Sequence, residues 1–233
     1  MIPAMVLCAG FGTRLRPLSV HFPKPLLPIG DRPALQHIID QLRAQACSPI
    51  VVNTHHCAAM FERSIPADVT LIREPRILGT AGGVANASEA IGPGTVIVWN
   101  GDIHLDLDFR SLLETHRRFV GKDNAIATML VSRQLKGNGT VGVGPGGLLA
   151  RLRGVQVFEE ISRADYVGVM VLGGDGRSLL PGEGCLVGDF LMPRLRTGSK
   201  VGIAWHDGDW VDIGSVEQYY GANMAWLRKH GST

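Results

Sequence analysis

Cysteine is scarce in this 233-residue chain, and Cys8, Cys47, Cys57 and Cys185 are scattered without the paired spacing of a metal site. All four read as reduced thiols, with Cys8 and Cys47 set among apolar neighbours that suit small core side chains. Charge is also sparse, at 19% of residues with a net +2. Such a balance argues against a charged, disordered tail and against a protein that wraps nucleic acid. No apolar run approaches the roughly 20 residues that cross a bilayer as a helix. The opening Met1-Ile2-Pro3-Ala4 lacks the cationic segment of a secretion signal. Internal repeats and low-complexity linkers are missing too. A cytoplasmic, membrane-free protein follows as the expectation, folded as one domain over residues 1–233, with homodimerisation left open.

What is present is 45% apolar residues, enough for a substantial core. Short runs rich in Val and Ile predict buried strands at 4–9, 49–53, 69–73, 95–100 and 124–131, with further strands at 165–172 and 200–205. Leu35, Ile38, Ile39 and Leu42 follow the three-and-four spacing of an amphipathic helix, and 81–91, 109–119, 186–196 and 215–228 read as others. Strands alternating with helices predict an α/β fold, a doubly wound, mostly parallel, Rossmann-like sheet. Gly137, Gly139, Gly142, Gly144, Gly146 and Gly147 break that rhythm and predict a small antiparallel hairpin insertion.

In such a sheet ligands collect beyond the carboxyl ends of the strands. The first strand runs into Ala9-Gly10-Phe11-Gly12-Thr13-Arg14-Leu15-Arg16, where glycines permit tight turning and leave main-chain amides open to phosphate oxygens. Leu15 stands where a dinucleotide fingerprint needs a small residue, and the Gly-Lys-Ser/Thr ending of a Walker A loop is absent. Prolines then hold Lys24 in Phe22-Pro23-Lys24-Pro25, an extended segment that fixes a cation. As a loop lysine it is expected to carry little packing. Asn100-Gly101-Asp102 places a carboxylate after the fourth strand, and Leu78-Gly79-Thr80-Ala81-Gly82-Gly83 opens a helix that Thr80 could cap. His55 and His56, at a strand end without a third ligand, read as structural; Trp205, Trp210 and Trp226 read as packing residues.

The run from Val6 to Ile29 resembles the signature of the sugar nucleotidyltransferase family: an apolar strand, Gly-x-Gly-Thr-Arg-Leu-x-Pro, then Pro-Lys-Pro. The resemblance implies an enzyme that joins a nucleoside triphosphate to a sugar 1-phosphate and releases pyrophosphate. It assigns Ala9, Gly10, Gly12, Thr13 and Arg14 to the triphosphate and Lys24 to the reacting phosphate. Gly79, Thr80, Gly82 and Asn100 would complete the nucleotide site. Asp102 and Asp212, the latter in Trp210-Val211-Asp212-Ile213-Gly214, would hold Mg²⁺. Sugar contacts fall to Gly142, Glu159, Tyr166 and Gly168. Where the family commonly shows Glu-Lys-Pro, this chain has Phe158-Glu159-Glu160-Ile161, which removes the lysine from the sugar-phosphate side. The Leu-Gly-Thr-Ala-Gly run is similar to that of guanylyltransferases and favours GTP. A uridylyltransferase acting on an amino-sugar phosphate such as N-acetylmuramate 1-phosphate is the same-fold alternative, and a non-catalytic nucleotide-sugar sensor is the alternative of another class.

Overall fold

The computed structural model describes residues 1–231. In chain order the first half carries β1 (Ala4–Leu7), the two-residue strands β2 (Pro28–Ile29) and β3 (Arg32–Pro33), α1 (Ala34–Ala44), β4 (Ile50–Thr54), α2 (Ala58–Ser64), β5 (Thr70–Arg73), α3 (Gly79–Asn86), α4 (Ser88–Ile91), β6 (Val96–Asn100) and β7 (Ile103–Leu105). The second half adds α5 (Phe109–Asp123), β8 (Ala127–Ser132), β9 (Val141–Val143), β10 (Leu149–Leu152), β11 (Val155–Gln156), β12 (Ser162–Leu172), α6 (Gly174–Ser178), α7 (Met192–Arg196), β13 (Val201–His206), β14 (Trp210–Asp212) and α8 (Val216–His230).

β1 lies between β4 and β6, parallel to both, and β5 extends the row beyond β4. β12 pairs antiparallel with β6 and β8, while β13 runs parallel to β8. Hence β5, β4, β1, β6, β8 and β13 share one direction and β12 is reversed among them. The first residues of β12 pair with β9, which continues through β10 into β11 as the expected antiparallel insertion. Ala4, Val6, Val52 and Trp99 pack with α1 and with Phe61 of α2 on one face, and Met5, Val51 and Val98 pack with α3 and α4 on the other. Helices on both faces leave no polar side to the central strands, which is why they read as unbroken apolar runs. No helix among the described residues is long and apolar enough to cross a membrane.

Local chemistry moved several expected boundaries. α5 runs on to Asp123, and Asn124 closes it in the left-handed conformation (φ 52°), so the strand expected from 124 begins at Ala127. Asparagine tolerates that conformation better than most residues and ends helices there. The helix expected over 81–91 breaks at Ala87, between α3 and α4. The one expected over 186–196 starts as a π-helical turn, Leu186–Leu191, before α7. α2, β7 and β14 escaped sequence reading, being too short for periodicity to register.

His116 of α5 is buried and hydrogen-bonded through Nδ1 to Thr128 Oγ1 of β8 at 3.0 Å, and burial pushes its pKa from 6.5 down to about 4. A depressed folded value means that neutral His116 supports the fold fully above about pH 6.5 and that this support fades as pH falls toward 4. At ~1.4 kcal/mol per pKa unit the loss is about 3 kcal/mol. The wild-type thermal midpoint is therefore expected to fall more steeply than that of His116→Asn between those pH values; parallel curves would refute this.

Candidate active site

The phosphate-loop candidate is shaped by Gly12, which sits in the left-handed region (φ 61°) and starts a 3₁₀ turn over Thr13–Leu15. Leu15 is fully buried and anchors the turn, leaving Thr13 and Arg14 exposed. A side chain at position 12 would bring its Cβ to 3.2 Å from Ser19 Cβ and 3.3 Å from Lys24 Cβ, so both backbone angle and space demand glycine there. Ser19 Oγ donates to the Gly12 carbonyl at 2.6 Å and holds the turn from below.

Lys24 begins another 3₁₀ turn, Lys24–Leu26, with Pro23 and Pro25 on either side. It is not the lightly packed loop lysine expected: only 8% of it is exposed. Its Nζ donates to Asp102 Oδ2 at 2.5 Å and lies 3.8 Å from Asp212 Oδ1. Asp102 reaches this point because Gly101 lets the chain after β6 press against β1, where a Cβ would come within 2.5 Å of Cys8 Sγ. Asp212 arrives by a long-range route. β14 pairs antiparallel with β7, matching Asp212 to Ile103, and the Ile213 amide donates to the Asp102 carbonyl at 3.0 Å. Two carboxylates far apart in sequence thus face one ammonium.

Burial raises the Asp212 carboxyl above its ordinary range, the charge of Asp102 adds to this, and Lys24 and Arg14 oppose it. Asp212 Oδ1 is buried and lacks a hydrogen-bond partner. Gly10, Gly12, Thr13, Arg14, Lys24, Asp102 and Gly214 line a cavity of about 260 Å³ here, room for phosphate groups and less than a whole nucleotide needs. Among the described residues no cluster of three or more His, Cys, Asp or Glu forms. Two carboxylates with an orphaned oxygen nevertheless suit Mg²⁺, which keeps several waters and takes substrate phosphates as further ligands.

The remaining expected residues do not line this cavity. Asn100 ends β6, and its Nδ2 would lie 3.2 Å from a Cβ on Gly168, which adopts φ 78° at an irregularity in β12. The Tyr166 phenol is pushed up by burial, with Cys185 and Asp102 adding to the effect. Gly142 accommodates Glu160, whose carboxylate is held by Arg151 at 2.5 Å and Arg163 at 3.1 Å. Glu159 is exposed beside Phe158 at the hairpin insertion. Thr80 does not cap α3: its Oγ1 accepts from the Leu186 amide at 2.7 Å and ties α3 to the following π-helical turn. Gly79 and Gly82 face the backbone of the 182–184 segment, where side chains would collide. His55 and His56 bond to the carbonyls of Glu74 and Ser19 and flank the Phe11 ring, as structural residues do. Sequence reading gave Gly214 no role of its own within the Trp210–Gly214 run, yet a Cβ there would stand 2.9 Å from Asp212 Oδ1 and 3.0 Å from Arg14 Nη2. It also missed Asn53 and Glu74, which look like ordinary strand-end polar residues.

Residues 3–161 match the family model described as nucleotidyl transferase, and the chain belongs to that family. It is 34% identical over 122 residues to the mannose-1-phosphate guanylyltransferase of Mycobacterium tuberculosis, covering 50% of this chain and 34% of the relative. It is 29% identical to the UTP–glucose-1-phosphate uridylyltransferase of Synechocystis sp., covering 94% of this chain and 62% of that one. The chain therefore spans between about a third and three fifths of these relatives' lengths. Among solved structures, HddC from Yersinia pseudotuberculosis complexed with GMP-PN shares the fold, with a TM-score of 0.76 at 22% identity over 97% of this chain and all of that one. A UDP-glucose pyrophosphorylase complexed with UDP-glucose does so with a TM-score of 0.75 at 20% identity, over 99% and 100% of the two chains.

Lys24→Met keeps the packed stem and removes the charge between two carboxylates. In chelator this variant is expected to lose about 1–3 kcal/mol relative to wild type, because removing the ammonium leaves its carboxylate acceptor unsatisfied. Added Mg²⁺ should restore more stability to the variant than to wild type. Identical melting of the two proteins with and without Mg²⁺ would show that Lys24 does not balance the pair.

Proposed function

We propose that this chain transfers a nucleoside monophosphate from a nucleoside triphosphate, preferably GTP, to a sugar 1-phosphate, and releases pyrophosphate. The observation that carries the reading is Lys24 held between Asp102 and Asp212 in a cavity floored by the Gly10–Arg14 loop. Guanylyltransferases among its relatives and the Leu78–Gly83 run support GTP. The residues act as one catalytic domain.

In this reaction an oxygen of the sugar phosphate attacks the α-phosphorus. A new P–O bond forms as the bond to the β-phosphate oxygen breaks, and that electron pair leaves with pyrophosphate. The amides of Ala9, Gly10, Gly12 and Thr13, with Arg14, receive the triphosphate, and Lys24 neutralises charge growing at the α-phosphate. An ammonium has three donors, so Lys24 can hold a carboxylate and still reach a phosphate oxygen. Asp102 and Asp212 would hold Mg²⁺, which when bound supplies further neutralisation of phosphate charge. Gly79, Thr80, Gly82 and Asn100 bound the base and ribose; Gly142, Glu159, Tyr166 and Gly168 serve the sugar. Positioning and charge suffice, and no covalent enzyme intermediate is required.

A matrix of nucleoside triphosphates against sugar 1-phosphates with Mg²⁺, read as pyrophosphate release, is expected to give the highest kcat/KM with GTP. Arg14→Ala should lower that value by ~10²–10³-fold, the usual cost of one donor to a developing oxyanion. Preference for UTP with an amino-sugar phosphate would replace the base assignment. Nucleotide binding without pyrophosphate release anywhere in the matrix would sink the transferase reading and leave a regulatory sensor.

A further inference from the structure

Two buried polar side chains that the chemistry above does not use join the end of β1, from which the phosphate loop departs, to the Leu78–Gly83 segment. The Cys8 amide, at the exit of β1, donates to Asn53 Oδ1 at 2.7 Å. Asn53 Nδ2 donates to Glu74 Oε1 at 2.7 Å, and the Leu78 amide donates to Glu74 Oε2 at 3.0 Å. Asn53 is 2% exposed and Glu74 1%, so neither is solvated and neither faces the cavity. Asparagine is a poor strand former, so its place inside β4 is not explained by propensity. The backbone of Glu74 is itself fixed: its amide donates to Thr54 and its carbonyl bonds His55 Nδ1 at 2.9 Å. Gly83 closes the arrangement, since a Cβ there would lie 2.6 Å from Asn53 Nδ2 and 3.0 Å from Glu74 Oε1.

We propose that Asn53 and Glu74 are positioning residues that lock the Gly10–Arg14 loop and the start of α3 into one register and thereby set nucleotide affinity without touching nucleotide. The proposal rests on the nucleotidyl-transfer reading above. A carboxylate offers two acceptors, and the relay presents it with two donors, the Asn53 side chain of β4 and the Leu78 amide at the start of α3. The Leu78 amide is among the free donors at the start of α3, so Glu74 already occupies the anion position of that helix end. Triphosphate is left to the glycine loop, and the α3 segment is left to the uncharged part of the ligand. Two segments that grip different parts of one molecule must keep their spacing, because a site already held in its bound geometry is spared the cost of ordering on binding.

Glu74→Gln turns an amide group toward one of the two donors. With whichever of GTP or UTP wild type uses, it is expected to raise KM for the triphosphate at least ~10-fold, while KM for the sugar phosphate stays within about twofold. Exchange of the Leu15 and Arg16 amides, which close the loop on the Gly12 and Thr13 carbonyls, should quicken in the same variant, a readout that needs no substrate. Thr128→Val, which breaks the buried bond to His116 away from the site, should lower the melting point and move neither quantity. Should Glu74→Gln not fold, Gly83→Ala keeps both polar groups and displaces them, with the same KM pattern expected. Equal rises in both KM values, or a lower melting point with loop exchange unchanged, would overturn the relay. A wild type that releases no pyrophosphate would overturn the reaction instead, and the exchange experiment would still judge the relay.

Discussion

A single ammonium between two carboxylates governs the form of the cavity. Asp102 and Asp212 repel each other, one of them is desolvated enough to hold its proton more tightly than usual, and Lys24 is the nearest compensating charge. Carboxylates brought this close need a cation in between, whether an amine or a metal. The two prolines keep Lys24 at the right height, and Gly12 and Gly101 remove the side chains that would keep their segments apart.

The scaffold delivers these groups by two different means. Parallel strands β1 and β6 end side by side, so the glycine loop and Asp102 become neighbours through ordinary sheet pairing. Asp212 comes instead from near the far end of the chain, on the short ribbon of β14 with β7. α8 follows, and its Trp226 lies over Gly30 while Tyr219 Oη donates to the Pro28 carbonyl at 2.8 Å. The segment carrying Lys24 and the one carrying Asp212 are therefore both braced by the last helix. Pairing between β14 and β7 has few hydrogen bonds, and this bracing is what keeps so short a ribbon in place.

Most of the central sheet was legible because both its faces are covered, which forces long apolar runs on β1, β4, β6 and β8. Arg14, Lys24 and Asp102 were legible because strand ends, glycines and prolines mark them locally. The helix cap that the local pattern offers at Thr80 goes unused for the opposite reason: the partner its hydroxyl takes, the Leu186 amide, lies 106 positions away. Glu160 is likewise engaged only once the chain folds, its carboxylate held by Arg151 and Arg163. Glu74 gave no sign of its role, because an acid before a proline at a strand end is usually solvated, and only the approach of Asn53 and α3 buries it.

By itself the sequence determined the alternation of strands and helices, the glycine loop and the identities of the charged groups, since each is fixed by local backbone chemistry or by burial periodicity. Only the tertiary structure decided that Asp212 meets Asp102, that Lys24 is buried between them and that Asn53 and Glu74 connect the end of β1 to the start of α3. These are pairings between distant positions, and their energies depend on desolvation and distance, which exist only once the chain has folded.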